Sequence, residues 1–149
     1  MRIEDILKTS RSLSLNKRII VNLLYTNNQL SNKLNDILKS YDISLQQFNV
    51  LRILRGQKNK PASLAMVQER MISKMSNTTR LIDKLIKKRF VEKDVNQENK
   101  RKIDIHITNE GLELLNYVDP IIDKTEKNIV SKLTQAEKEE LIRLLGKIR

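Results

Sequence analysis

Residues 76–88 read Ser76-Asn77-Thr78-Thr79-Arg80-Leu81-Ile82-Asp83-Lys84-Leu85-Ile86-Lys87-Lys88, and the way this stretch repeats decides the fold. Thr78, Leu81, Ile82, Leu85 and Ile86 fall on one side at helical spacing, while Ser76, Arg80, Asp83 and Lys87 line the other, flanked by Asn77 and Lys84. The spacing predicts a helix over 76–88 with a buried apolar side and a polar, cationic outer row. Ser76, Asn77, Thr79 and Arg80 crowd its first turns. A merely solvated helix face would carry the same row, so the neighbouring segments must decide what it does.

Downstream, the period drops from helical to two. Ile103, Ile105 and Ile107 alternate with Asp104 and His106, which predicts a strand whose isoleucines face the core and whose His106 faces outward, away from any chemistry. Residues 91–95 supply a partner strand, and the polar run 96–101 joins the two into a hairpin. Thr108 then caps a helix starting near Asn109. Within it Pro120 either kinks the helix or, with Asp119 as a cap, restarts it. Ile121, Ile122, Ile129, Val130 and Leu133 carry the apolar stripe onward, and Thr134 with Glu137 forms a capping box that opens a last helix bearing Leu141, Leu144, Leu145 and Ile148.

Upstream, apolar residues from Leu15 to Leu38 recur at helical spacing and predict one long helix over about 13–41, after a short helical lead-in over 2–10. Ser44 and Gln47 form a capping box for a helix from Leu45, with Leu45, Phe48, Leu51 and Leu54 inward and Val50 and Ile53 broadening the stripe. The stretch 56–61 ends that helix, and Ser63 caps a short one with Leu64, Val67 and Met71 inward. With three Gly and two Pro in 149 residues, long helices are expected rather than a turn-rich sandwich, and the length fits a single domain.

Composition narrows the chemistry. The chain has no Cys and one His, which removes disulfides, thiolate metal sites and a catalytic thiol, and leaves no metal or cofactor site in view. Neither a nucleophile with its base nor a phosphate-cradling glycine loop is present, so no catalytic residue is assigned and an enzyme ranks last. Apolar runs are a few residues long, too short for a membrane span or signal peptide, so a cytoplasmic protein is expected. The formal net charge of +11 favours a polyanionic partner. Residues 70–102 hold eleven basic and four acidic side chains, so this short segment carries +7 of that charge. The cationic segment and the polar helix face therefore coincide, as binding to double-stranded DNA requires.

The order of elements resembles the MarR family of winged helix-turn-helix transcriptional regulators. Leu64-Ala65-Met66-Val67-Gln68-Glu69-Arg70-Met71 through Asn77-Thr78-Thr79-Arg80-Leu81-Ile82-Asp83-Lys84-Leu85 is similar to the family's helix-turn-helix. Asn99-Lys100-Arg101-Lys102-Ile103-Asp104-Ile105-His106-Ile107-Thr108-Asn109-Glu110-Gly111 is similar to its wing, second strand and entry to the next helix. Two positions depart from the family pattern. Asn99 stands where the family has Asp, which replaces an ion pair to Arg101 by a neutral hydrogen bond. Arg89 stands where the family has Gly after the recognition helix, which predicts a helix end displaced by one or two residues.

The resemblance implies a mainly α fold with a small β-hairpin wing, a DNA-binding lobe over 44–108, and helical dimerisation regions over 1–41 and 109–149. It further implies a homodimer astride a pseudo-palindromic operator, acting as a repressor, although the residues themselves do not distinguish repression from activation. Lys74, Ser76, Asn77, Thr79 and Arg80 are expected to make groove contacts, Lys84 and Lys87 to reach phosphates, and Arg101, helped by Lys100 and Lys102, to serve the wing. Family members also bind small aromatic effectors. Tyr25, Tyr41 and Phe48 are the side chains here that could line such a cleft, with core packing their simpler role. The other reading of the cationic surface is a winged-helix interaction module that engages an acidic protein.

Overall fold

The computed structural model describes residues 2–58 and 60–149. They form two compact units, one up to Leu45 and the other Gln46–Arg149. The first contains α1 (Ile3–Ile6) and α2 (Leu15–Lys39). Glu4 is buried, and its carboxylate accepts a 2.9 Å hydrogen bond from the Arg18 guanidinium, which ties α1 to α2. Along α2, Leu15, Ile19, Ile20 and Leu24 stay exposed. At the end of the unit, the Leu45 N–H, one of the orphan donors at a helix start, is satisfied by Asn35 Oδ1 at 2.8 Å.

The second unit runs α3 (Leu45–Arg55), α4 (Leu64–Arg70), α5 (Thr78–Lys87), β1 (Val91–Val95), β2 (Ile103–Ile107), α6 (Asn109–Ile129) and α7 (Gln135–Ile148). The caps expected of Ser63, Thr108 and Thr134 are in place. Ser63 accepts from the Met66 N–H, Thr108 from Gly111 and Thr134 from Glu137, and the Thr134–Glu137 box closes in both directions. That box holds the Glu137 carboxyl below the usual carboxylate range, chiefly through the Thr134 N–H it accepts from. The core gathers Phe48, Val50, Leu51 and Leu54 of α3, Val67 and Met71, Ile82 and Leu85 of α5, Val91, Ile105, and Leu115, Val118 and Ile122 of α6.

Several expectations are corrected. α5 begins at Thr78, so Ser76 precedes the helix and is half-buried in the turn instead of standing on the outer row. Leu64 (37% exposed) and Ile103 (44% exposed) do not face the core: both line an open cleft. Pro120 does not restart a helix, because α6 runs through it and Asp119 is ion-paired with Arg55 of α3. The carbonyl that loses its partner to Pro120 belongs to exposed Asn116, where water can serve it. Phe48 is buried with the Arg52 guanidinium 5.6 Å from its ring centre, which makes it a core residue.

The end of α5 is the sharpest correction. Arg89 adopts φ 62°, the left-handed conformation, and the helix stops where a glycine there would stop it. The N–H groups of Arg89 and Phe90 donate back to the carbonyls of Ile86 (2.9 Å) and Leu85 (3.0 Å), the paired bonds of a left-handed helix stop. Thr108 secures the same corner, its hydroxyl donating to the Arg89 carbonyl (2.6 Å) and its N–H to that of Phe90 (3.1 Å). The backbone is thus held from both sides, and this overrides the steric preference of Arg89.

β1 and β2 pair antiparallel, Val91 opposite Ile107 and Val95 opposite Ile103. The other edge of β2 carries a bridge to Ala62, with paired backbone hydrogen bonds of 3.0 and 2.9 Å between Ala62 and Ile105. This bridge anchors the wing to the segment leading into α4.

Candidate nucleic-acid interface

α5 has ten residues, about 15 Å of helix at 1.5 Å per residue, and the roughly 10–12 Å diameter of a helix with its side chains matches the roughly 12 Å width of a duplex's major groove. Buried Thr78, Ile82 and Leu85 fix its roll, which leaves Thr79, Arg80, Asp83, Lys84 and Lys87 exposed. Asn77 caps the helix, its Oδ1 accepting from the Arg80 N–H at 3.0 Å. That carbonyl is therefore committed, and only the amide nitrogen remains for a groove contact. Lys74 stays exposed, with its ammonium donating to the Glu69 carbonyl.

The turn between α4 and α5 is pinned at the Ile72 N–H, which donates to Asn49 Oδ1 of α3 (2.9 Å), and at the Ser76 N–H, which donates to the Ser73 carbonyl (3.2 Å). The wing tip is built by two asparagines. Asn96 Oδ1 accepts from the N–H groups of Glu98 (3.1 Å) and Asn99 (2.8 Å), and its amide donates to the Asp104 carboxylate. Asn99 Oδ1 accepts from the Arg101 N–H at 3.1 Å. The neutral bond expected from Asn99 is thus made to the backbone of Arg101 and not to its guanidinium. Lys100 and Arg101 stand exposed on this tip, and no ion pair among the described residues engages either.

Wing and helix are neighbours. Lys93 of β1 pairs with Asp83 of α5 at 3.5 Å, both half-exposed, so the one acidic group on the outer face of α5 is offset by a cation from the wing. Sequence reasoning counted Lys93 toward the charge of the segment but gave it no place. Two residues from Val91, it shares that residue's face of β1, the face turned toward α5, and this is the signal that was available. A cleft of about 550 Å³ lies between the two elements, with Thr79, Ile82 and Asp83 of α5 on one side and Lys93, Lys102 and Ile103 of the wing on the other. Lys102, where the tip loop meets β2, therefore lines the same cleft as Thr79, whereas Lys100 and Arg101 do not line it. The interface is a cationic helix face with a hairpin beside it whose basic side chains gather at the tip, in Lys100, Arg101 and Lys102. Among the described residues, no group of side chains could hold a metal ion, and no helix is long and apolar enough to cross a membrane.

Residues 32–118, which include all of these elements, match the family described as transcriptional regulator SarA/Rot. The chain belongs to this family of winged-helix regulators. The regulator is also similar to the HTH-type transcriptional regulator YkoM of Bacillus subtilis (strain 168), 31% identical over 73% of the chain and 70% of that protein. Its fold is that of the MarR regulators. A MarR-like transcription regulator from Bacillus cereus ATCC 10987 superposes with a TM-score of 0.79 at 26% identity, covering 89% of this chain and 94% of the other. MepR of S. aureus, solved as a DNA complex, gives 0.78 at 19% identity, over 91% and 96%. The mainly helical, winged architecture and the MarR resemblance read from residues 64–111 both hold, and the function is regulatory rather than enzymatic.

Proposed function

We propose that the regulator binds double-stranded DNA sequence-specifically as a homodimer on a pseudo-palindromic operator and represses transcription there. Each α5 enters a major groove, with the two grooves about one helical turn, roughly 34 Å, apart. Thr79 and Arg80, with the Asn77 amide and Ser76 at the turn, read base edges, and Lys74, Lys84 and Lys87 meet phosphates. Arg101 enters the adjoining minor groove, where negative potential favours a guanidinium. The observation that carries this reading is the uncovered face of α5 with Lys102 of the wing across a single cleft from Thr79. The solved DNA complex of MepR, a protein of the same fold, supports it.

The dimer rests on faces left without cover. No residue of α7 is buried, and Leu141, Ile142, Leu144 and Ile148 are exposed, a concentration of apolar surface that a second copy would remove from water. A salt titration of duplex binding tests the DNA reading. Each neutralised phosphate steepens the slope of log K against log salt by about 0.9, so Arg101→Ala is expected to flatten it by up to about 1.8 per dimer. A mobility shift that competitor DNA abolishes without sequence preference would remove the specificity. Binding only to acidic protein would put the interaction module in its place.

A further inference from the structure

The turn between α4 and α5 holds the two most exposed large apolar side chains among the described residues, Met75 at 95% and Ile72 at 88%. Neither serves the core, the wing or the faces assigned above to a second copy. Single exposed apolar residues are ordinary on a protein surface. Here, however, two lie within four residues on a turn whose Ile72 and Ser76 N–H groups donate to Asn49 Oδ1 and the Ser73 carbonyl and whose Lys74 ammonium donates to the Glu69 carbonyl, so both side chains are presented from a pinned backbone. The surrounding charge is net cationic: exposed Arg70 and Lys74 on the α4 side and Arg80 on the first turn of α5 outnumber the exposed Glu69. A surface that is apolar at its centre and cationic at its edge fits a polyanion that offers an apolar feature in a groove. In duplex DNA the only such feature is the C5-methyl group of thymine, which lies on the major-groove edge of a T·A pair.

We propose that Met75 is a specificity-determining residue of the regulator: its flexible thioether packs against a thymine methyl at one position in each half-site, and Ile72 closes the contact on the outer side. This rests on the DNA reading above and adds to it a base and a position. Asn77 and Arg80 supply the hydrogen bonds in the groove, and Met75 supplies the apolar contact that hydrogen-bonding residues cannot make. The unbranched methionine side chain suits this, because it adapts to a methyl group without strain.

The test begins with duplexes recovered from a random-sequence pool by the full chain. Each thymine of a recovered duplex is then replaced, one at a time, by deoxyuridine, which removes the methyl and nothing else. Wild-type binding is expected to weaken about fourfold at one position per half-site, the worth of one buried methyl group. Met75→Ala and the near-isosteric Met75→Gln are expected to bind the thymine duplex more weakly and to lose sensitivity to deoxyuridine there. At 95% exposure, neither should alter thermal stability. Tight duplex binding with every deoxyuridine neutral, or a penalty that persists undiminished in both variants, would overturn the assignment of Met75 and leave the DNA reading intact. Recovery of no duplex would overturn both.

Discussion

Arg89 offers a stability test with the sign fixed in advance. With φ at 62°, its Cβ crowds the following carbonyl, at a cost of about 1–2 kcal/mol for any residue but glycine. Comparison with wild type would mix that strain with loss of the guanidinium, so the useful contrast is Arg89→Gly against Arg89→Ala. Both remove the charge and the aliphatic stem, and only alanine keeps the Cβ. Glycine recovers the strain but loses about 0.4–1 kcal/mol through the greater freedom of its unfolded chain. The glycine variant should therefore be more stable than the alanine variant by about 0.5–1 kcal/mol. For a chain of this length that is roughly 1–4 °C in melting temperature. Thermal melts followed by circular dichroism should be run at one protein concentration, since association would otherwise shift the midpoint. An alanine variant as stable as the glycine variant would mean that the left-handed stop is not formed, and that α5 ends elsewhere.

Gly111 should respond in the opposite direction. A Cβ there would sit 2.3 Å from the Phe90 carbonyl oxygen and 2.8 Å from Ile107 Cγ1, and that carbonyl is already held by the Thr108 N–H. Gly111→Ala is expected to lose about 1–3 kcal/mol in denaturant melts despite the better helix propensity of alanine, and a neutral result would refute the close approach. Ile142→Glu or Leu144→Glu on α7 should shift the sedimentation coefficient toward that of a monomer, with helix content retained. Sedimentation unchanged in both variants would remove α7 from the dimer interface.

Much of this was legible because it was local. Ser63, Thr108 and Thr134 cap the helices they precede, and strand alternation over 103–107 gave the hairpin to the residue, since caps and periodicity act within a turn or two of their own position. What escaped depends on residues far apart in the chain or on which side of an element is open. The Ala62–Ile105 bridge spans 43 positions and leaves no pattern at either end. Leu64 and Ile103 obey their periodicities yet face a cleft, because hydrophobic spacing says which residues share a side and not whether that side is covered. Ser76 looked like the first residue of the outer row, but Asn77 is the better cap and moves the helix start past it.

The same distinction explains why Arg89 misled. A glycine is expected at a left-handed helix stop when the local chain must supply the conformation unaided. Here Thr108, nineteen residues on, donates to the carbonyls of both Arg89 and Phe90 while capping α6 through Gly111. One threonine thus fixes the end of α5, the start of β1 and the start of α6, and Gly111 must lack a side chain for these backbones to meet. Since Lys93 of β1 also pairs with Asp83, the groove-facing helix and the wing are coupled at the corner and along their length. Thr79, Arg80 and Lys102 consequently depend on one corner for their relative placement. A substitution at the corner should then disturb all the groove contacts together, whereas one at Arg101 removes a single contact and leaves the others in register.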